Sequence, residues 1–146
     1  MLLAEKVCLI TGGGSGIGEA TAKLFASEGA FVIITDVDEK AANGVVSEIG
    51  PKAKFINCDV TQEKQVHDTI KKIVEIYDRL DCAVNNAGIT GTPSNIEHTT
   101  LENLSNVIAV NLTGVFLCLK HEITQMIKQG SGSIVNVSSG AGLIAV

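Results

Sequence analysis

Five short apolar runs punctuate the chain, and segments of helical period separate them. Val7-Cys8-Leu9-Ile10 ends in glycines, and Phe31-Val32-Ile33-Ile34, Phe55-Ile56, Cys82-Ala83-Val84 and Ile134-Val135-Asn136-Val137 repeat the pattern. They are β-branched or apolar on both faces, as strands covered by helices on two sides should be. Between them, Val66, Ile70, Ile73, Val74 and Tyr77 share one helical face, with Thr61 as a candidate N-cap. The longest helical pattern begins near Thr100 and carries Leu104, Ile108, Leu112, Val115, Leu119, Ile123, Met126 and Ile127. Gly130 closes it, in the position a helix C-terminus favours. Strands alternating with helices predict one α/β domain over residues 1–146, with a parallel sheet wound by right-handed crossovers. No repeat, linker or low-complexity stretch interrupts it.

Composition narrows the classes. With 45% hydrophobic and 18% charged residues, the chain has the make-up of a folded domain. Its net charge of −5 argues against a basic face for nucleic acid. No apolar run is expected to reach the roughly 18 residues of a membrane span. Met1-Leu2-Leu3 runs straight into Glu5-Lys6 without a signal-peptide core. Cys8, Cys58, Cys82 and Cys118 are far apart and form no CxxC, so reduced thiols in a cytoplasmic protein are expected. His67, His98 and His121 lack the Cys, Asp or Glu spacing of a metal site, and none is expected.

The clearest chemistry lies in the first turn, Thr11-Gly12-Gly13-Gly14-Ser15-Gly16-Ile17-Gly18, between a strand and a helical segment. Glycine there permits a tight turn and lets backbone approach a pyrophosphate with no Cβ in the way. The helix N-terminus then offers free N–H groups to the anion. No Lys-Ser/Thr pair follows, which excludes a P-loop. Asp36 closes the second strand, 18 residues after Gly18, where a dinucleotide fold sets an acid against a ribose 2′-OH. A carboxylate there repels a 2′-phosphate, so Asp36 argues for NAD over NADP. Asp36 could also be a helix-capping residue before Val37-Asp38-Glu39.

These residues resemble the short-chain dehydrogenase/reductase family. The glycine string is similar to its TGxxxGxG fingerprint, and Asn85-Asn86-Ala87-Gly88 to its NNAG motif. Asp59-Val60 resembles its adenine-contacting Asp, Asn111 its active-site Asn, and Ser139-Gly140-Ala141-Gly142 its S-x-x-G serine motif. The resemblance implies a Rossmann-like, doubly wound parallel sheet with strand order 3-2-1-4-5. It implies hydride transfer between NAD(H) and a secondary alcohol or ketone. Gly12, Ser15, Gly16, Ile17 and Gly18 would hold the pyrophosphate, Asp36 the ribose, Asp59 and Val60 the adenine. Asn86, Ala87 and Gly88 would bring backbone against the cofactor. Asn111 would sit in a distorted helical turn that holds a proton-relay water, and Ser139 would face the substrate oxygen. Without the family, Asn111 reads as a polar residue on a helix flank, and Ser138-Ser139-Gly140 as a turn.

The family's YxxxK acid–base pair has no counterpart, since the single tyrosine, Tyr77, precedes Asp81 at the lysine position. The chain alone is therefore expected to bind cofactor with negligible turnover. Its apolar ending, Gly142-Leu143-Ile144-Ala145-Val146, and an uncovered fifth strand are expected of a fragment, the N-terminal part of a longer domain. The longer form is expected to be a homo-oligomer acting on a small molecule. Two alternatives stand: a non-catalytic NAD-binding or interaction module, and a flavodoxin-like FMN-binding module.

Overall fold

In the computed structural model, which describes residues 1–142, all five predicted strands form one parallel sheet. They are β1 (Val7–Thr11), β2 (Phe31–Asp36), β3 (Ala53–Asn57), β4 (Cys82–Asn85) and β5 (Ser133–Asn136), in the order β3-β2-β1-β4-β5. Cys8 pairs with Val32 on one side and Cys82 on the other, so β1 is central and all five of its residues are buried. The apolar ending, residues 143–146, lies outside the described residues.

Two cores follow from the alternation along the strands. Cys8 and Ile10 of β1, with Val32 and Ile34 of β2, face α1 (Gly16–Ser27) and α2 (Glu39–Ile49) through Ala22, Ala42 and Val45. Val7, Leu9, Ile33 and Ala83 face the other way. They meet Ile70 and Ile73 of α3 (Glu63–Tyr77) and Met126 of α5 (Val115–Gln129). A sheet covered on both faces must present apolar side chains on both, which is why these strands read as continuous apolar runs.

The long helical pattern is one run from Leu101 to Gln129, with a wider turn inside it. Helix α4 (Leu101–Ile108) passes into a π-helical segment (Ala109–Gly114), and α5 continues. The Thr100 side chain caps its start by accepting from Asn103 N at 3.1 Å, and Gly130 ends it at φ +77°. The run is long and apolar enough to cross a membrane by length and composition, contrary to the expectation that none would be. Its buried face is narrow: Met126 packs on the sheet and Glu122 bonds Asn85 of β4, while Gly114, Leu117 and Cys118 sit against the loop after β3 and α3. Leu104, Ile108, Leu112, Ile123 and Ile127, read from the sequence as part of its apolar pattern, are exposed.

One cap differs from expectation. Gln62, not Thr61, occupies the N-cap of α3 and makes no side-chain cap bond. Thr61 instead turns back, giving its N–H and its hydroxyl to Oδ1 of Asp59 at 2.9 and 2.7 Å. The carboxylate of Asp59 outcompetes the helix end because it sits two residues away and accepts both donors at once.

Candidate functional site

The carboxyl ends of β1, β2 and β4, with the loop after β3, enclose a cleft of about 420 Å³. This is the edge at which open α/β sheets bind ligands. Ten of the eleven residues expected to meet a cofactor line it, and the exception is Gly18.

The floor is built by a clasp between β1 and β4. The buried Thr11 hydroxyl accepts from the backbone N–H groups of Asn86 and Ala87, at 3.0 and 3.1 Å. In return, Asn86 Nδ2 donates to the carbonyls of Thr11 and Gly12, at 3.1 and 3.0 Å. Gly12 sits at φ +63°, and a Cβ there would come within 2.8 Å of Ala87 Cα. Gly18 is buried because α1 packs directly on the turn, and a side chain would collide with the Gly12 carbonyl and approach Asn86 Nδ2 to 2.6 Å. Gly18 therefore shapes the cleft from behind rather than lining it.

Ser15, Gly16 and Ile17 form the near wall at the start of α1. Nothing lies within 4 Å of where a Gly16 Cβ would be, so the backbone is bare toward the opening. Ser15 makes no side-chain cap bond, and twelve residues of helix aim their N-terminal N–H groups this way. An anionic group fits such a cradle without a basic side chain.

Asp36 closes one end of the cleft. Its Oδ2 accepts from Gly14 N at 2.9 Å and its Oδ1 from Asp38 N at 3.0 Å. The capping role that the sequence left open belongs to Asp38, which accepts from Ala41 N at 3.0 Å. A carboxylate has about four acceptor sites, so both Asp36 oxygens keep capacity for a diol. Asp59 lines the cleft with Oδ1 engaged by Thr61, and Val60 is packed with Cys58, Val66, Leu117 and Cys118. Among the described residues, the lining contains no Lys or Arg. Burial pushes the Cys58 thiol up from its ordinary value, keeping this cleft residue protonated.

The two residues expected at the reacting end are placed differently. Asn111 lies in the π-helical segment, so the expected distortion is present. Its amide grips the loop after β4: Oδ1 accepts from Ile89 N at 2.9 Å and Nδ2 donates to Ile89 O at 2.8 Å. Ile89 and Val110 in turn line the cleft, although neither was expected to. Ser139 follows β5, exposed and outside the lining, and its Oγ accepts from Ala141 N at 3.2 Å. Thr11, Val37 and Cys58 also shape the site without having been singled out for it. Only the Thr11 position inside the glycine motif carried any signal for them.

A glycine turn feeding a helix, at the edge of a sheet ordered 3-2-1-4-5, is the Rossmann-like arrangement. The family model described as short chain dehydrogenase matches residues 6–146, and the chain belongs to that family. It is 39% identical over 145 residues to a 2,5-dichloro-2,5-cyclohexadiene-1,4-diol dehydrogenase of Sphingobium indicum, covering 99% of this chain and 58% of that one. It is 44% identical over 140 residues to a mitochondrial borneol dehydrogenase of Lavandula x intermedia, covering 95% of this chain and 53% of that one. A secoisolariciresinol dehydrogenase of Forsythia intermedia is 44% identical over 140 residues, with coverage of 94% and 50%. The chain thus spans about half the length of these curated relatives.

Proposed function

We propose that the cleft binds NAD(H), and that the protein to which these residues belong moves hydride between it and a secondary alcohol or ketone. The observation that carries the NAD preference is Asp36, a carboxylate on a lining that, among the described residues, has no Lys or Arg. A 2′-hydroxyl can donate to it, whereas a 2′-phosphate would meet only negative charge there. The bare backbone at Gly16 and the N-terminus of α1 would hold the pyrophosphate, with Ser15 and Ile17 beside it. Asp59 and Val60 would flank the adenine, where Oδ2 can accept from an exocyclic amine. Asn86, Ala87 and Gly88 would support the nicotinamide end.

The nicotinamide ring, when bound, supplies the hydride chemistry. This chain's residues orient and polarise. Because Ser139 Oγ accepts from Ala141 N, its own proton is free for a substrate oxygen, where negative charge develops on reduction. Asn111 cannot offer its amide without releasing Ile89, so its role is to keep the distorted turn open beside the cleft for a relay water. The one tyrosine, Tyr77, packs in α3 against Phe31 with ring centroids 5.4 Å apart, so it is not the acid–base group. Turnover by these 146 residues alone is expected to be negligible.

The exposed apolar side chains of the long helix, Leu104, Leu112 and Phe116 among them, would be covered in a homo-oligomer. A cytoplasmic setting suits the four free cysteines. The test of the cofactor reading is a calorimetric titration with NAD and NADP, with Asp36→Ala as the variant.

A further inference from the structure

Helix α5 carries one acidic residue inside the protein. Glu122 is 0% exposed, although its neighbour Lys120 is out in solvent. Its Oε2 accepts from Asn85 Nδ2 at 3.0 Å, and the same nitrogen donates to Asn136 Oδ1 at 2.9 Å. The carboxyl therefore ties the helix directly to the last residue of β4 and, through Asn85 Nδ2, to the last residue of β5. Asn85 immediately precedes the Asn86-Ala87-Gly88 edge of the cleft, and Asn136 stands three residues before Ser139.

The cluster has more acceptors than donors. Oε1 of Glu122 and Oδ1 of Asn85 are both buried without a hydrogen-bond partner among the described residues. An ionised carboxyl can only accept, so it can relieve neither orphan. A single proton on the carboxyl changes this. It turns one Glu122 oxygen into a donor, the kind of partner that Asn85 Oδ1 lacks.

Among the described residues, no cation stabilises the charged form. The groups around Glu122 are Asn85 from β4, Asn136 from β5 and, one turn away on α5, the thiol of Cys118, which lies near that of Cys58. From α3, Glu63 pairs with Lys120 at 2.6 Å and with His121 at 3.4 Å, and His67 lies edge-on to His121. Lys120 and Glu63 satisfy each other at the α3–α5 surface, whereas His121 Nε2 is buried without a hydrogen-bond partner among the described residues. Burial pushes the Glu122 carboxyl up to about 7, against the opposing pull of the Asn85 hydrogen bond.

We propose that Glu122 carries a proton in the folded protein and is a positioning residue, fixing through Asn85 and Asn136 the strand ends that present the cofactor edge and Ser139. Its effect on ligand binding rests on the NAD reading of the cleft, whereas its protonation does not. An ionised Glu122 would be a buried charge held by the Asn85 Nδ2 donor alone, and relieving it would draw on the β4 end to which that donor belongs.

The test is NADH fluorescence titration from mildly acid to mildly alkaline pH, on the unsubstituted chain, Glu122→Gln and Glu122→Ala. Infrared spectra of each would record the carbonyl band of a protonated carboxyl. Affinity of the unsubstituted chain should fall by up to about tenfold per pH unit above the Glu122 titration. Glu122→Gln, which can accept from Asn85 Nδ2 and donate to Asn85 Oδ1, should hold the low-pH affinity throughout. Glu122→Ala should bind weakly at every pH, and if it does not fold, the Gln comparison suffices. The infrared band should disappear in Glu122→Gln. The proposal is overturned if Glu122→Gln binds as poorly as Glu122→Ala, if it keeps the pH dependence, or if it keeps the band. If the unsubstituted chain binds no NADH at any pH, the NAD reading fails instead. The band and the melting midpoint then decide the protonation of Glu122. The midpoint should fall as pH rises from 4.5 to about 7 in the unsubstituted chain and not in Glu122→Gln.

Discussion

Thr11 and Asn86 fasten two strand ends from both directions. The Thr11 hydroxyl accepts the Asn86 N–H at 3.0 Å, and Asn86 Nδ2 donates to the Thr11 carbonyl at 3.1 Å. Since Thr11 also accepts from Ala87 N, Thr11→Val would leave two part-buried amides without a partner. Unmet buried donors cost about 1–3 kcal/mol each, and because both amides are only part-buried a loss at the low end, about 2 kcal/mol for the pair, is expected in urea unfolding. Thr11→Ser should recover most of it.

Gly12 and Gly16 should separate folding from binding. Both have positive φ, but only the Gly12 Cβ position is blocked, 2.8 Å from a backbone atom. Gly12→Ala should therefore cost about 1–3 kcal/mol in thermal unfolding, because Ala87 cannot rotate aside. Gly16→Ala should cost less, about 1 kcal/mol for the left-handed backbone, yet weaken NAD more through a methyl in the open cradle. Paired melting and titration curves check this contrast.

Asp36→Ala should narrow the ratio of NAD to NADP affinity, mainly by improving NADP. The variant also strands the N–H groups of Gly14 and Asp38, so some stability is lost with it. Titrating both cofactors against the same preparation separates the two effects. An unchanged ratio would remove Asp36 from the ribose site.

Asp81 anchors the opposite end of the sheet. It is buried and accepts from Val7 N at 2.9 Å, with Lys6 at 3.4 Å and Arg79 also paired to it. Burial alone would raise its carboxyl, but the Val7 hydrogen bond and the two cations outweigh it and hold it below 3.8. A depressed folded value means the stabilisation is complete above 3.8 and is lost as pH falls through the folded value. Asp81→Asn should thus be less stable than the unsubstituted chain at neutral pH. The gap should close in strong acid, as acid–urea denaturation would record.

The strands and the cleft's glycine wall were legible because local residue choice and tertiary role coincide there, whereas the sheet order came from the family resemblance. Val7–Ile10 must be apolar on both faces to lie at the sheet centre, and the turn after Thr11 must be glycine to clear Ala87. Glu122 was not legible, since Lys120-His121-Glu122 has the look of a solvated face and only the docking of α5 on β4 and β5 buries it. The apolar period of the long helix was visible, but not which positions face the sheet. Glu122 and Met126 do, Leu117 and Cys118 are buried against the loop after β3 and α3 instead, and Leu104, Leu112 and Ile127 are exposed. Nor could spacing reveal that Asn111 spends both amide atoms on Ile89, a contact across 22 residues. The Thr61 cap failed because Asp59, two residues earlier, is the stronger partner.

The central claim is that the cleft between the glycine turn, Asp36 and Asn86–Gly88 takes NAD(H). The most direct test is isothermal calorimetry of this chain with NADH, NADPH and FMN in parallel. The account predicts saturable binding of NADH, weaker binding of NADPH, none of FMN, and loss of the NADH signal in Gly16→Ala. FMN binding with no NADH signal, or NADH binding indifferent to Gly16→Ala, would contradict it.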